Sequence, residues 1–191
     1  MRIPTPRFLR ACAAAAVLAC AGCVSPVLPD GRLRHKQFEV RGSGLDWMAF
    51  VYSPAPGSRR IPHLCRLELY GSGMARLRTG PSPQVRDDFA TDASDPRWND
   101  LVDESLAMTP EEMRGVMQVF VDEGVVAENP RRVSASRPPS VTCAGTVNAE
   151  KFRLVTDNVP LVETVEDFIE TNFGPALRRS ARFPAAGRLS P

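Results

Sequence analysis

Few residues in this chain have side chains suited to chemistry: two histidines, five cysteines, two serines set between glycines and a run of aspartates. Nucleophilic hydrolysis needs a nucleophile, a base in hydrogen-bond reach and an acid that orients the base. His35 and His63 are the two imidazoles, and the candidate serines are Ser43 in Gly42-Ser43-Gly44 and Ser72 in Gly71-Ser72-Gly73. Neither fits Gly-x-Ser-x-Gly, and no phosphate-cradling glycine loop is present. Cys65, Cys143 and His63 are too few for a zinc site. Asp87, Asp88, Asp92, Asp95, Asp100 and Asp103 offer oxygens to a calcium ion or to a partner, but they lack the acid spacing and central glycine of an EF-hand loop. Carboxylate pairs that cleave wall glycans have no fixed spacing in sequence, and no pair here is singled out. The expectation is a chain with no catalytic residue and no cofactor.

Hydropathy patterning then locates the elements that hold these groups. Residues 36–40 and 47–52 read as two strands joined by Gly42-Ser43-Gly44, the second continuously apolar and so more deeply buried. Residues 64–79 read as a hairpin: Leu67 and Leu69 alternate with Arg66, Glu68 and Tyr70, and Gly71-Ser72-Gly73 turns the chain into Ala75-Arg76-Leu77-Arg78. Residues 80–108 read as a long acidic loop with at most one turn of helix, and loops of that length are often functional. Thr109-Pro110-Glu111-Glu112 carries the signature of a capped helix start, and Met113, Val116, Met117, Phe120 and Val121 form one apolar stripe before Gly124. Residues 141–147 and 151–156 make a second hairpin. A last amphipathic helix opens at Pro160 and is expected to stop at Gly174-Pro175.

Charge gives no case for nucleic acid. Arg2, Arg7 and Arg10 precede an uncharged run at residues 11–22, so the remainder holds 21 basic against 22 acidic residues. That uncharged run is too short to span a bilayer, and with its basic start it has the layout of a secretory leader. Its end, Val17-Leu18-Ala19-Cys20-Ala21-Gly22-Cys23, resembles the lipobox of bacterial lipoproteins. The resemblance implies diacylglycerol and palmitate-type acyl chains on an N-terminal cysteine. Cys23 has the small pair Ala21-Gly22 before it, and Cys20 has Val17 and Ala19, so Cys20 is the alternative. Neither Val24 nor Ala21 is the aspartate that retains lipoproteins in the inner membrane. In a host with two membranes the expected location is therefore the outer membrane, facing the periplasm.

Acylation at Cys23 leaves Cys65 and Cys143 as an even pair in an oxidising compartment. A bridge between them is expected to contribute about 3–5 kcal/mol, with two separately buried thiols as the alternative.

Cys65-x-x-x-Leu69-Tyr70-Gly71-x-Gly73, followed by the Pro-Glu-Glu helix opening, a late hairpin and a closing helix, resembles a group of small exported bacterial domains of unknown function. The resemblance spans residues 65–173 and implies a fold without implying an activity. The expected organisation is a leader at 1–22, a tether at 23–34, one α+β domain at 35–175 and a basic flexible tail at 176–191. The fold is a small antiparallel sheet of hairpins with two amphipathic helices on one face. The expected role is a membrane-anchored, non-enzymatic envelope module that contacts an envelope protein or polymer. Ligand or calcium binding by residues 87–104 is the alternative, and wall hydrolysis a more distant one.

Overall fold

The computed structural model describes residues 38–87, 94–126 and 137–184. The leader, the tether, His35, Cys20, Cys23, Asp88 and Asp92 lie outside them. The chain divides into a unit ending at Glu39 and a second that begins at Val40 and holds every described strand and helix.

That second unit is an α+β fold: a six-stranded antiparallel open sheet with two helices packed against one face. The strands are β1 (Trp47–Ser53), β2 (Cys65–Tyr70), β3 (Met74–Thr79), β4 (Val102–Ala107), β5 (Ser140–Val147) and β6 (Glu150–Thr156). The helices are α1 (Pro110–Asp122), between β4 and β5, and α2 (Val159–Ser180), which follows β6. Their order across the sheet is β4-β3-β2-β1-β5-β6. The first four strands form a meander. The segment containing α1 then carries the chain back to the other side of β1.

Alternation along the central strand decides which face is covered. Met48, Phe50 and Tyr52 are buried, and so are Leu69, Leu67 and Cys65, which oppose them on β2. On the β5 side, Phe50 faces Cys143 and Tyr52 faces Val141. The Phe50 ring lies 4.6 Å from Phe120 of α1, Phe120 lies 6.0 Å from Phe168 of α2, and Phe168 lies 6.4 Å from Phe173. This chain of rings joins the sheet to both helices, and each ring is almost fully buried. Gly145 of β5 faces Phe152 of β6, whose ring occupies the space a Cβ would need.

Local chemistry fixes the element ends. The Thr109 hydroxyl accepts the Glu112 N–H at 3.2 Å, and the Glu112 carboxylate accepts the Thr109 N–H at 2.8 Å, which is a complete capping box. Asn148 and Ala149 both have positive φ, the backbone a two-residue turn between β5 and β6 requires. Gly73 also has positive φ, and a Cβ there would overlap the Met108 carbonyl.

Four expectations are corrected. Residues 38–40 form no strand; instead the Val40 N–H donates to Gln118 Oε1 at 2.8 Å. The loop expected at 80–108 ends in β4, where Val102 and Leu106 point inward with Glu104 between them, opposite Leu77. Glu104 tolerates that position because Arg179 of α2 pairs with it. The closing helix does not stop at Gly174-Pro175. It breaks locally at Phe173 and runs on to Ser180, because Ala176 and Leu177 are apolar and bury against the core. Pro175 is accommodated just past that break, in the first turn of the resumed helix. The basic tail therefore begins later than residue 176.

The Cys65–Cys143 bridge is the fourth. Both thiols are free and buried. β1 lies between β2 and β5, and Cys65 opposes Tyr52 whereas Cys143 opposes Phe50, so the two cysteines are two strand spacings, about 9.5 Å, apart across the sheet and are offset by two residues along it as well. Disulfide Cα atoms come no further apart than about 7 Å. Burial pushes each thiol up to about 12, so neither is a ready nucleophile.

Phe120→Ala should lose about 3–5 kcal/mol in urea unfolding, because the cavity falls between sheet and both helices. Thr109→Ala should lose about 1 kcal/mol. Alkylation without reductant should leave Cys65 and Cys143 unmodified in the native domain and modify both after unfolding. Failure of either to react in the unfolded, unreduced chain would contradict the strand order.

Candidate functional site

The face of the sheet turned away from the helices carries a mixture of small, charged and aromatic side chains. Three rows cross it from β3 to β5, each set by the register. Arg78, Arg66, Val51 and Thr142 form the first; Arg76, Glu68, Ala49 and Ala144 the second; Met74, Tyr70, Trp47 and Thr146 the third. On β6 the second and third rows continue into Arg153 and Lys151. The middle of the face is thus built from small side chains, with arginines on one flank and basic residues on the other.

Glu68 is the hub of the β2–β3 flank. Its Oε1 accepts from Arg66 Nε at 2.9 Å and from Arg78 Nη2 at 3.1 Å. Glu68 and Arg78 are each 6% exposed, so this charge cluster is buried although it stands on the face without helices. Glu68 Oε2 is buried with no hydrogen-bond partner among the described residues. Burial, and then the neighbouring Glu68 carboxylate, push the Tyr70 phenol up. Next to this cluster, Arg76 and Asp103 of β4 make a forked pair at 2.8 and 2.5 Å.

The acidic residues expected to act together are dispersed. Asp103 is engaged by Arg76 on the sheet face, and Asp95 is held by Arg97, whose guanidinium and backbone N–H set its carboxyl at about 2. The Asp100 carbonyl accepts the Ser82 N–H at 3.3 Å, which closes the base of the loop. Asp87 follows a short 3-10 turn at Pro83–Val85. Among the described residues no three His, Cys, Asp or Glu side chains group to hold a metal ion. Ser43 and Ser72 belong to two turns that pack together, since Gly71 lies too close to the Ser43 carbonyl to carry a Cβ.

His63 is 4% exposed and lies beside the end of α2, with its ring 6.4 Å from Phe183. Burial holds its imidazole below the ordinary value, partly offset by the carbonyls of Ser180 and Phe183 and by Asp100. Across the same loop, the Tyr52 hydroxyl donates to Glu166 of α2, and Arg60 pairs with Glu170 at 2.5 Å. Burial, reinforced by that hydrogen bond, pushes the Tyr52 phenol strongly up. These contacts fasten the β1–β2 loop to α2.

No family model, no curated protein and no solved structure matches this chain. The open sheet face is the candidate site on its own chemistry. The hydropathy pattern missed it because residues 47–52 are apolar throughout, whereas Trp47 is 38% exposed and Ala49 and Val51 are half-buried. The available signal was the number of helices: two amphipathic helices cover one face of a six-stranded sheet, and alternate residues must then face away.

Two outcomes follow. Glu68→Ala strands buried arginine charge and should lose about 3 kcal/mol, whereas Asp103→Ala, which breaks a half-exposed pair, should lose under about 1 kcal/mol; urea unfolding separates them. His63 is kept neutral by folding, so its contribution is complete above about pH 6.5 and lost as pH falls through the lowered native value. The fall in Tm between pH 7.5 and 5.5 should flatten in His63→Leu. An unchanged slope would assign it to other groups.

Proposed function

We propose that this chain is a lipid-anchored protein of the cell envelope, a non-enzymatic module that engages another envelope component through its open sheet face. The observation that carries the second half is the one-sided sheet. A face of Ala49, Val51, Thr142 and Ala144, flanked by arginines, is suited to recognition. The lipid anchor is supported by the lipobox-like run ending at Cys23, with Cys20 as the alternative attachment point. No helix of the described residues is long and apolar enough to cross a membrane. In a host with two membranes the proposed location is the outer membrane, facing the periplasm. The partner is an envelope protein or polymer, and the face supplies hydrogen-bonding and charged groups to meet either.

Site-specific photo-crosslinking in intact cells tests the reading. A photoreactive residue at Thr142, on the open face, should yield adducts that one at Glu163, on the exposed side of α2, does not. Equal adducts from both positions, or none from Thr142, would remove the open face as the contact surface.

A further inference from the structure

One end of the open face differs from the rest. Leu45 is 86% exposed, Met74 40% and Trp47 38%, three of the four large apolar side chains left exposed among the described residues. They are not scattered. Trp47 opposes Tyr70 and Tyr70 opposes Met74, so the three lie side by side where β1 and β3 begin and β2 ends, and Leu45 precedes them in the loop that enters β1. Single exposed apolar residues are ordinary, but a contiguous strip with two aromatics marks a contact surface.

Cations border the strip. Lys151 continues the Trp47–Thr146 row onto β6, and Arg153 stands one row along. Arg41 lines a shallow depression of about 430 Å³ with Leu45, Thr146, Asn148 and Ala149. Arg41, Lys151 and Arg153 are all exposed. Of the acids at this corner, Asp46 is 2% exposed and spends both oxygens on backbone, accepting from Ser43 N–H at 2.8 Å and Asn148 N–H at 2.9 Å, while the exposed Glu150 opposes the inward Val147 and so stands on the other face from Lys151. Many of the carboxylates, among them Glu111, Glu112, Glu163 and Asp167, lie instead on the helices of the opposite layer. The domain therefore offers a basic, aromatic corner on the sheet side, whereas the helix side mixes these acids with Arg60, Arg114, Arg178 and Arg179.

This corner is also where the domain starts. Val40 and Arg41 are its first residues, and the Arg41 N–H donates to Asn148 Oδ1 at 2.9 Å. Sixteen residues lie between Cys23 and Val40, a span of at most about 60 Å. An acyl anchor on Cys23 would keep this end of the domain closer to the bilayer than the other end.

We propose that the strip of Leu45, Trp47, Tyr70 and Met74, with Arg41, Lys151 and Arg153, docks on the headgroup region of an anionic bilayer. Trp and Tyr rings suit that interface, and exposed Leu and Met side chains reach the acyl boundary. Each basic residue near an anionic surface adds attraction that salt weakens. Three of the four large apolar side chains exposed among the described residues lie at this corner, which orients the domain with the corner toward the bilayer. The docked end leaves Ala49, Val51, Thr142 and Ala144 free for a second partner. The proposal rests on the lipid anchor only for proximity, since the docking chemistry belongs to the domain.

The test uses the protein isolated from its own membrane and reconstituted into phosphatidylglycerol–phosphatidylcholine vesicles carrying brominated acyl chains. Intact mass reports the anchor, and tryptophan quenching reports docking. The chain has two tryptophans, Trp47 and Trp98, so the difference between wild type and Trp47→Phe isolates Trp47. Docking predicts quenching that Trp47→Phe abolishes, that Leu45→Glu or Lys151→Glu reduces at least twofold, and that 0.5 M salt weakens. An acylated protein whose Trp47 is unquenched overturns the docking and leaves the anchor standing. A mass without lipid overturns the anchor, and the same vesicles added to the unlipidated chain then decide docking, with absence of quenching overturning it too. Loss of quenching on Leu45→Glu has no folding explanation, because that side chain is already in solvent.

Discussion

A strand sends alternate side chains to opposite faces, and the described residues supply two helices to cover one of them. Most of the domain follows from that constraint. The covered face is fastened by Phe50 against Phe120 and Phe120 against Phe168, one contact to each helix. Because Phe50 is on β1, the strand at the middle of the sheet, its orientation sets the inward residues of the strands hydrogen-bonded on either side. A register slip of one residue would turn Ala49 and Val51 into the core and Phe50 into solvent, so the register is strongly specified. The same geometry fixes the cysteines. Each takes an inward position beside β1, and β1 keeps them apart.

What was legible in the sequence was whatever a local pattern states twice. The Leu67/Leu69 alternation and the Gly71-Ser72-Gly73 turn agreed on a hairpin, and it is there as β2 and β3. Thr109 and Glu112 agreed with the apolar stripe that follows them, and α1 starts with both halves of the box formed. Features set by a distant partner were not legible. β4 was hidden because Glu104 occupies an inward position, which makes sense only once Arg179 is known to lie above it. The continuation of α2 past Pro175 depends on the core that receives Ala176 and Leu177. The cysteine pairing failed for a related reason: parity of thiols states nothing about strand order. Of the candidate site, the basic and aromatic residues were visible one at a time. Their assembly into rows is a property of the register.

The uncovered face has its own internal logic. Its buried cluster of Arg66, Glu68 and Arg78 keeps the β2–β3 flank ordered and charged, while the β1–β5 centre stays small and flat. Edge strands β4 and β6 carry Asp103, Lys151 and Arg153 outward, which discourages edge-to-edge pairing with other chains. In the proposed reading, contact is directed to the face and its Leu45–Met74 end. A module that acts by contact requires a rigid face more than a pocket. The tie between the β1–β2 loop and α2, through Tyr52–Glu166 and Arg60–Glu170, adds to that rigidity from the covered side.

The one-sided sheet is tested most directly by hydroxyl-radical footprinting of the purified domain, read residue by residue in the mass spectrometer. Met48 and Met74 lie on opposite faces of the same sheet, and Met113 and Met117 line the helix stripe. The account predicts rapid oxidation of Met74 and Trp47, with Met48, Met113 and Met117 protected until the domain unfolds. Oxidation of Met48 as fast as Met74 in the native protein would contradict it, because the central strand would then face the other way.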